Sequence, residues 1–339
     1  MNMGHQYVDR TTGVVLQERL LADGWIRALY SPALENAAWL SKLVSSRYTS
    51  RLLGYLNYDN LLSSRITGMR RFLQANGINT KELVAKPEAL DTPRKIFERQ
   101  IRYWECRPLP TEERCAVCPA DARLILGSMN ERTGLFIKNK FFDFAELLGG
   151  SNLRWHSIFK GGDFAVLRLT PEKYHYTHAP ATGRVADFYS VSGRYHSCNP
   201  NATVQLLHPY SKNRRMVTIL DTDCEGGTRI GHVAMIEIVA LMVGRIEQQY
   251  SDLHYESPKP IKEGMMLQAG APKALFQPGS STVVLLFEAG RVRFAEDLMR
   301  NQTKTGVRTR YSAVLEFPLC ETDVKVRSLL GHPAGGPGP

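Results

Sequence analysis

A serine hydroxyl stands where a tight turn enters an apolar strand, in the segment 276–287 (Phe-Gln-Pro-Gly-Ser-Ser-Thr-Val-Val-Leu-Leu-Phe). A hydroxyl on such a turn has a fixed position and can approach the carbonyl of the preceding residue. If a base removes its proton, the oxygen of Ser281 can attack the carbonyl of Ser280 and cleave the bond between the two residues. On the local sequence alone an ordinary β-turn is the favoured interpretation, so other groups must decide.

Two histidines three residues apart, His175 and His178, supply candidate bases in the segment 173–180. Histidine titrates near neutral pH, so either could act as general base or acid. On a helix this spacing places both rings on one face, whereas in a strand they point to opposite faces. A metal site would need further ligands, and no carboxylate or third histidine stands at a familiar spacing.

An aspartate, Asp121, precedes a short β-prone run, Arg123–Leu126. Aspartate in this position is usually a turn former. It could instead orient a histidine, as the acid of a Ser-His-Asp arrangement does.

In this order and with these neighbours, the three motifs resemble those of the phosphatidylserine decarboxylase family. Residues 119–122 (Pro-Ala-Asp-Ala) are similar to the family's Pro-Ala-Asp-Gly, and residues 174–180 to its Tyr-His-x-x-His-x-Pro. Residues 279–282 (Gly-Ser-Ser-Thr) are similar to its Gly-Gly-Ser-Thr, which an apolar strand follows. The resemblance extends from about Tyr103 to Val314.

The resemblance implies a self-cleavage triad of Asp121, His178 and Ser281, with His178 as the base and Asp121 holding and polarising it. Cleavage between Ser280 and Ser281 would give chains 1–280 and 281–339 and convert Ser281 into a covalent pyruvoyl cofactor. The substrate amine would condense with its carbonyl, which accepts the electrons released as carbon dioxide leaves. His175 is the candidate donor of the final proton. The implied reaction converts phosphatidylserine to phosphatidylethanolamine.

Three positions depart from the family pattern: Ser280, Ala122 and Arg214. Glycine usually stands at the first two, and an acidic residue is common at the third. Glycine tolerates backbone geometries that other residues resist, so Ser280 is expected to slow cleavage. Two alternatives therefore stay open: a relative that decarboxylates a free amino acid, and an uncleaved homologue that serves as a lipid-binding scaffold.

The composition limits the class of partner. The chain has 339 residues, a formal net charge of +10 and a hydrophobic fraction of 43%. A basic excess favours an acidic partner such as anionic lipid, and the basic residues form no helix-borne stripe typical of nucleic-acid binding. Six cysteines are too sparse for a disulfide framework. Cys115 and Cys118 have metal-ligand spacing, but no second pair follows at a finger-like distance.

The sequence predicts an α+β protein with three regions. Residues 1–105 are expected to be helical and to associate with membranes, because apolar residues recur at helical spacing among arginines. Residues 106–320 are β-rich, with strands such as Phe164–Leu169, Met216–Leu220 and Thr282–Phe287, and residues 321–339 are expected to be a flexible tail.

The N-terminus lacks the apolar core of a signal peptide, and no apolar run reaches the ~20 residues of a membrane-spanning helix. The expected location is therefore cytoplasmic, peripheral on a phospholipid membrane. The resemblance further implies a barrel-like or sandwich-like β fold and a homodimer.

Overall fold

The computed structural model of the protein describes residues 5–18, 77–130, 142–150, 152–193, 209–239, 245–279, 281–315 and 317–335. These residues form one ten-stranded sheet, two three-stranded sheets and several short helices. The coarse expectation of a mixed α+β protein in which strands dominate is confirmed.

The strands carry the apolar and β-branched runs that the sequence analysis identified. In chain order they are β1 (Gln6–Asp9), β2 (Val15–Gln17), β3 (Ala116–Val117), β4 (Ala122–Ser128), β5 (Asp163–Leu169), β6 (Tyr176–His178), β7 (Gly183–Val191), β8 (Arg215–Asp221), β9 (His232–Val239), β10 (Ile246–Gln248), β11 (Met266–Leu267), β12 (Pro272–Phe276), β13 (Ser281–Phe287), β14 (Val292–Phe294), β15 (Glu321–Val324) and β16 (Leu329–Pro333).

The helices are short and lie between the strands. They are α1 (Pro93–Phe97), α2 (Tyr103–Cys106), α3 (Phe144–Leu147), α4 (Leu153–Phe159), α5 (Pro209–Lys212), α6 (Glu296–Gln302) and α7 (Arg310–Leu315), with 3₁₀ turns at Thr80–Glu82 and Pro87–Ala89. Side-chain caps begin several of them. Thr92 accepts a hydrogen bond from the backbone N–H of Lys95 at the start of α1. Asp143 accepts one from the backbone N–H of Glu146 at the start of α3.

The large sheet has the strand order β11-β7-β8-β9-β13-β5-β4-β15-β1-β2. Neighbouring strands are antiparallel except β1 and β15, which pair in parallel. Over the described ranges this order is open, with β11 and β2 at its two edges. The barrel-like part of the expectation is therefore wrong, because no described strand joins the two edges.

Strand β13 lies in the middle of the large sheet, and all seven of its residues are buried. Its side chains alternate between two apolar clusters. Val283 and Leu285 enter a cluster shared with the smaller sheets, whereas Val284 and Leu286 enter one shared with α3, α4 and α7. The result is a layered arrangement in which β13 is covered on both sides, as a continuous apolar run predicts.

Both ends of the described chain depart from the predicted boundaries. Strands β1 and β2 lie inside the predicted N-terminal helical region, and β1 pairs with β15 from the predicted flexible tail. The tail prediction is wrong for residues 321–333, because β15 and β16 bury Thr322, Val324 and Leu330 within the sheets. The predicted amphipathic segment falls mainly on residues 19–76, outside the described residues.

Within the described part of the chain, no helix is long and apolar enough to cross a membrane.

Candidate active site

Ser281 is the first residue of β13, where the strand enters the large sheet. It pairs with Val239 of β9 on one side and with Leu169 of β5 on the other. Its side chain is fully buried, and its Oγ atom has no hydrogen-bond partner among the described residues. Buried hydroxyls are normally bonded, so this one needs an explanation, and a catalytic role is one explanation; the hydroxyls of Thr218 and Thr282 have the same status. Ser280, the other residue of the predicted cleavage site, lies outside the described residues.

Gly279 shapes the turn that leads to this serine. Its φ of 148° belongs to a region that L-residues rarely adopt. Glycine here lets the chain turn sharply from the small sheet into β13.

Asp121 and Ser281 lie at the same end of their strands in the large sheet. Thr282 and Arg123 both pair with Arg168 of β5, so β13 and β4 flank that strand in matching register. Asp121 comes one residue before β4, just as Ser281 begins β13. Two strand spacings, roughly 10 Å, separate the backbones of β13 and β4. The fold therefore brings two residues that are far apart in sequence to the same end of the sheet, where their strands begin.

The carboxylate of Asp121 is bound by Arg107 and by the backbone. Arg107 donates from Nε to Oδ1 at 3.1 Å and from Nη2 to Oδ2 at 2.8 Å, and the N–H of Val326 donates to Oδ1 at 2.8 Å. Burial alone would raise the pKa of Asp121, but the hydrogen bonds and charge of Arg107 outweigh it and hold the pKa well below its usual range. Asp121 is therefore a fixed negative charge.

The two histidines lie where the chain passes from the large sheet to the sheet β10-β12-β6. His178 ends β6 and pairs with Pro272 of β12, while the carbonyl of His175 accepts a hydrogen bond of 3.0 Å from the N–H of Phe276. Strand β5 ends beside Ser281, and the chain reaches His175 six residues later. His175 comes one residue before β6, and the two rings have different aromatic neighbours, Phe97 for His175 and Tyr103 for His178.

The imidazole of His178 is fully buried, and both of its nitrogens are bonded. Nδ1 lies 2.8 Å from the carbonyl oxygen of Gly270, and Nε2 lies 2.9 Å from the hydroxyl of Tyr174. A carbonyl only accepts, so Nδ1 carries the hydrogen and Nε2 is the basic nitrogen of the neutral ring. Both ring nitrogens are thus engaged by groups other than Asp121.

Burial lowers the pKa of His178 to about 3, with the charge of Arg327 acting in the same direction. The hydrogen bond to Gly270 and the charge of Asp121 act against this shift. His178 is therefore neutral at pH 7 and able to accept a proton. Asp121 polarises the ring through space, without a direct hydrogen bond.

The imidazole of His175 stacks on Phe97, with ring centroids 3.5 Å apart. The side chain is fully buried. Burial, and next the charge of Arg99, lower the pKa of His175 to about 3. The ring is therefore neutral at pH 7, with one N–H to donate in a hydrogen bond and one nitrogen that can take up a proton.

A buried ion pair lies on the same face of the large sheet as Ser281. Glu237 of β9 pairs with Val283, two residues along β13 from Ser281, and it lies 2.8 Å from the ammonium group of Lys273. The sequence analysis did not identify this pair, nor Arg107, Tyr174 and Tyr255. Tyr174 lies within a quoted motif, but the others carry no local signal because their partners come from distant segments.

The four predicted residues are thus a buried serine hydroxyl, a neutral histidine, a fixed negative charge and a second neutral histidine. Neither imidazole is hydrogen-bonded to the hydroxyl of Ser281 in this structure. Residues 94–312 match the model of the family described as phosphatidylserine decarboxylase. That match includes all four of these residues.

The chain belongs to the phosphatidylserine decarboxylase family.

Three relatives illustrate how far the similarity extends, each called a phosphatidylserine decarboxylase proenzyme. The relative from Bordetella petrii is 32% identical over 258 residues, which cover 73% of this chain and 86% of the relative. The relative from Chlamydia felis is 29% identical over 307 residues, covering 90% and 94%. The relative from Fusobacterium nucleatum is 26% identical over 306 residues, with the same two shares.

Membership gives the site its chemical class. The members of this family of decarboxylases are carboxy-lyases, and the word proenzyme in the names of the relatives implies a precursor that is processed. An internal serine at the start of a buried strand, with its hydroxyl next to the carbonyl of the preceding residue in the chain, is the group that an internal cleavage needs.

Proposed function

We propose that this chain cleaves itself between Ser280 and Ser281 and then decarboxylates phosphatidylserine to phosphatidylethanolamine. One observation carries the proposal. The hydroxyl of Ser281 is buried and unpartnered among the described residues, and Asp121 lies at the same end of the strands. Membership of a family whose relatives are called proenzymes supports the same conclusion.

The first step is an acyl shift. His178 takes the proton of Ser281, and the oxygen attacks the carbonyl carbon of Ser280. The C–N bond breaks as His178 gives the proton to the departing nitrogen, so that an ester replaces the amide bond. Removal of the α-proton of Ser281 then breaks its Cβ–O bond, which frees the carboxylate of Ser280 and leaves a dehydroalanine. Water adds to the tautomer of that residue, ammonia leaves, and a pyruvoyl group remains at the start of the small chain.

The residues present fit this group. It would stand at the buried start of β13, on the site of the hydroxyl that lacks a partner, and the rest of β13 would stay between β9 and β5. When formed, the group supplies a carbonyl that binds the substrate amine and accepts electrons as carbon dioxide leaves. We assign the final proton donation to His175; because its ring is neutral at pH 7, it must first take up the proton that it gives, becoming an imidazolium before the transfer and neutral again after it.

A membrane surface is the proposed source of the substrate. The net charge of +10 favours anionic lipid. We propose peripheral association and, from the family resemblance, a homodimer of processed heterodimers. Decarboxylation of phosphatidylserine in vesicles, with no turnover of free serine or other amino acids, would support a lipid substrate. If the protein decarboxylates a free amino acid and not the lipid, the proposed lipid substrate is wrong and a free amino acid takes its place.

The testing experiment is the intact mass of the purified protein under denaturing conditions. We expect two chains that separate between Ser280 and Ser281, the smaller beginning with a pyruvoyl group. Ser281→Ala should leave one inactive chain, which we call the uncleavable precursor. A wild-type chain that stays intact on incubation with anionic lipid would instead favour a lipid-binding scaffold.

His175→Ala separates the roles of the two histidines. It should permit cleavage and impair decarboxylation, because His178 alone is needed as the base for Ser281. If this variant fails to cleave while its urea unfolding curve is unchanged, the roles of His175 and His178 are exchanged.

A further inference from the structure

A continuous chain of hydrogen bonds connects His178 with the edge of the buried region. The hydroxyl of Tyr174 lies 2.9 Å from Nε2 of His178 and 2.8 Å from the hydroxyl of Tyr255. Tyr255 in turn donates to the carbonyl of Ile101 at 2.8 Å. At the other end, Nδ1 of His178 lies 2.8 Å from the carbonyl oxygen of Gly270. The chain begins and ends on a backbone carbonyl, and its phenols come from segments 81 residues apart.

The number of hydrogens in this chain is the informative feature. Its four contacts need one hydrogen each, and both terminal carbonyls can only accept. Burial raises the pKa of Tyr174 and of Tyr255, so each phenol keeps its hydrogen at neutral pH. A neutral His178 contributes one more. Three hydrogens therefore serve four contacts, and the imidazolium form of His178 would supply the missing one.

We propose that Tyr174 and Tyr255 are positioning residues that prepare His178 to accept the proton of Ser281. This inference rests on the proposed self-cleavage, in which His178 is the base. For the transfer, the side chain of Ser281 must turn towards Nε2 and approach it beside the hydroxyl of Tyr174; the proton then passes from Oγ to Nε2, and the resulting alkoxide attacks the carbonyl of Ser280. The hydroxyl of Tyr174 then directs its hydrogen to Tyr255. No O–H bond of a phenol breaks, because both hydroxyls only rotate.

The chain answers a physical difficulty of this site. Burial disfavours the charged ring of His178, and Arg327 adds to that penalty. Asp121 offsets part of it from a distance, since Arg107 occupies its carboxylate. The oriented phenols offer what the carboxylate does not, a direct charge-assisted acceptor for the new N–H.

The kinetic test compares the rate of self-cleavage in three phenylalanine variants. In Tyr255→Phe, the hydrogen of Tyr174 has no acceptor except Nε2 of His178, so it blocks the lone pair that the proton needs. In Tyr174→Phe, the protonated ring loses its acceptor. Cell-free synthesis followed by a denaturing gel gives the rate, and we expect both variants to be about 10- to 100-fold slower, the effect of one charge-assisted hydrogen bond.

Tyr176→Phe is the matched control. Tyr176 is buried, stacks on Tyr174 with ring centroids 5.5 Å apart, and its hydroxyl accepts from Gln100 outside the chain. It should cleave within twofold of the wild type. Wild-type rates in both Tyr174→Phe and Tyr255→Phe would overturn the inference and leave the proposed function intact. An intact wild-type chain would overturn the proposed function and this role together.

A spectroscopic measurement separates positioning from a general loss of structure. In the uncleavable precursor, ¹⁵N NMR should show His178 as a neutral ring with its hydrogen on Nδ1. Tyr174→Phe should move the Nε2 resonance towards that of an unbonded nitrogen, and Tyr255→Phe should move it in the opposite direction. Tyr176→Phe should leave it unchanged. A hydrogen on Nε2 of His178, or no shift in the first two variants, would contradict the proposed chain.

Discussion

The buried pair of Lys273 and Glu237 gives the sharpest prediction about stability. Both side chains are fully buried, and their charged atoms lie 2.8 Å apart. Gln248 accepts from Lys273 at 2.8 Å and donates to Glu237 at 2.9 Å, and Thr177 donates to the other oxygen of Glu237 at 2.6 Å. This network joins the strand that ends at His178 to the strand beside Ser281.

Removing one charge leaves the other buried without its partner. Glu237→Leu keeps about the same side-chain volume but leaves the ammonium of Lys273 with Gln248 alone. We expect the free energy of unfolding to fall by about 3–5 kcal/mol, and by a similar amount for Lys273→Met. The double variant replaces the pair by apolar groups of similar size. Its free energy of unfolding should therefore fall by far less than the sum of the decreases in the two single variants.

The assay is urea unfolding of the uncleavable precursor, which avoids a mixture of processed and unprocessed chains. A double-mutant cycle gives the coupling between Glu237 and Lys273. The surface pair of Asp252 and Lys259 is the control, because its charged atoms lie 3.5 Å apart with both side chains more than half exposed. Removing either charge of this surface pair should lower the free energy of unfolding by less than about 1 kcal/mol. A cost below 1 kcal/mol for Glu237→Leu, or additive effects, would refute this account of the network.

Two further predictions concern close packing and pH. A Cβ atom at Gly162 would lie 1.9 Å from the carbonyl oxygen of Phe287, so Gly162→Ala should sharply lower the yield of folded precursor, whereas Gly150→Ala, with open space around it, should not. The folded pKa values of His175 and His178, about 3, lie below the ~6.5 of an unfolded chain, so the unfolded state binds more protons as pH falls. Stability present above pH 6.5 should therefore be lost towards pH 4.5, by up to about 1.4 kcal/mol per pH unit for each histidine. Urea unfolding of the precursor at several pH values measures the slope, which His178→Gln should reduce by one proton; a flat profile would contradict the buried, neutral rings.

Local patterns were sufficient where each residue's environment follows from its near neighbours. The runs 164–169, 216–220 and 282–287 were predicted as strands and form β5, β8 and β13. Their alternating or continuous apolar residues report burial directly. The tail was wrongly predicted because only its end is rich in glycine and proline, whereas residues 321–324 pair with both β1 and β4. Such pairing is a long-range choice that composition does not encode.

The candidate site shows the same division. The sequence motifs identified Asp121, His178 and Ser281, and the fold brings Asp121 and Ser281 to the same end of the strands in the large sheet. The contacts differ from a simple triad. Arg107 occupies the carboxylate that the resemblance assigns to His178, and Tyr174 occupies the basic nitrogen. These partners could not be predicted, because a side chain's hydrogen bonds depend on which distant segments the fold places beside it.

The strand order also explains how a cleaved chain can remain one protein. Cleavage after Ser280 would assign β13 and β15 to the small chain, yet β13 lies between β9 and β5 and β15 between β4 and β1. Glu321 of β15 accepts from Arg168 of β5, within a buried cluster that includes Glu18 and His5. The ladders of four strands of the large chain and a buried ion pair would thus hold the small chain. The bond beside Ser281 can therefore break without removing the strand that positions the site, because β13 depends on its neighbours in the sheet more than on its link to Ser280.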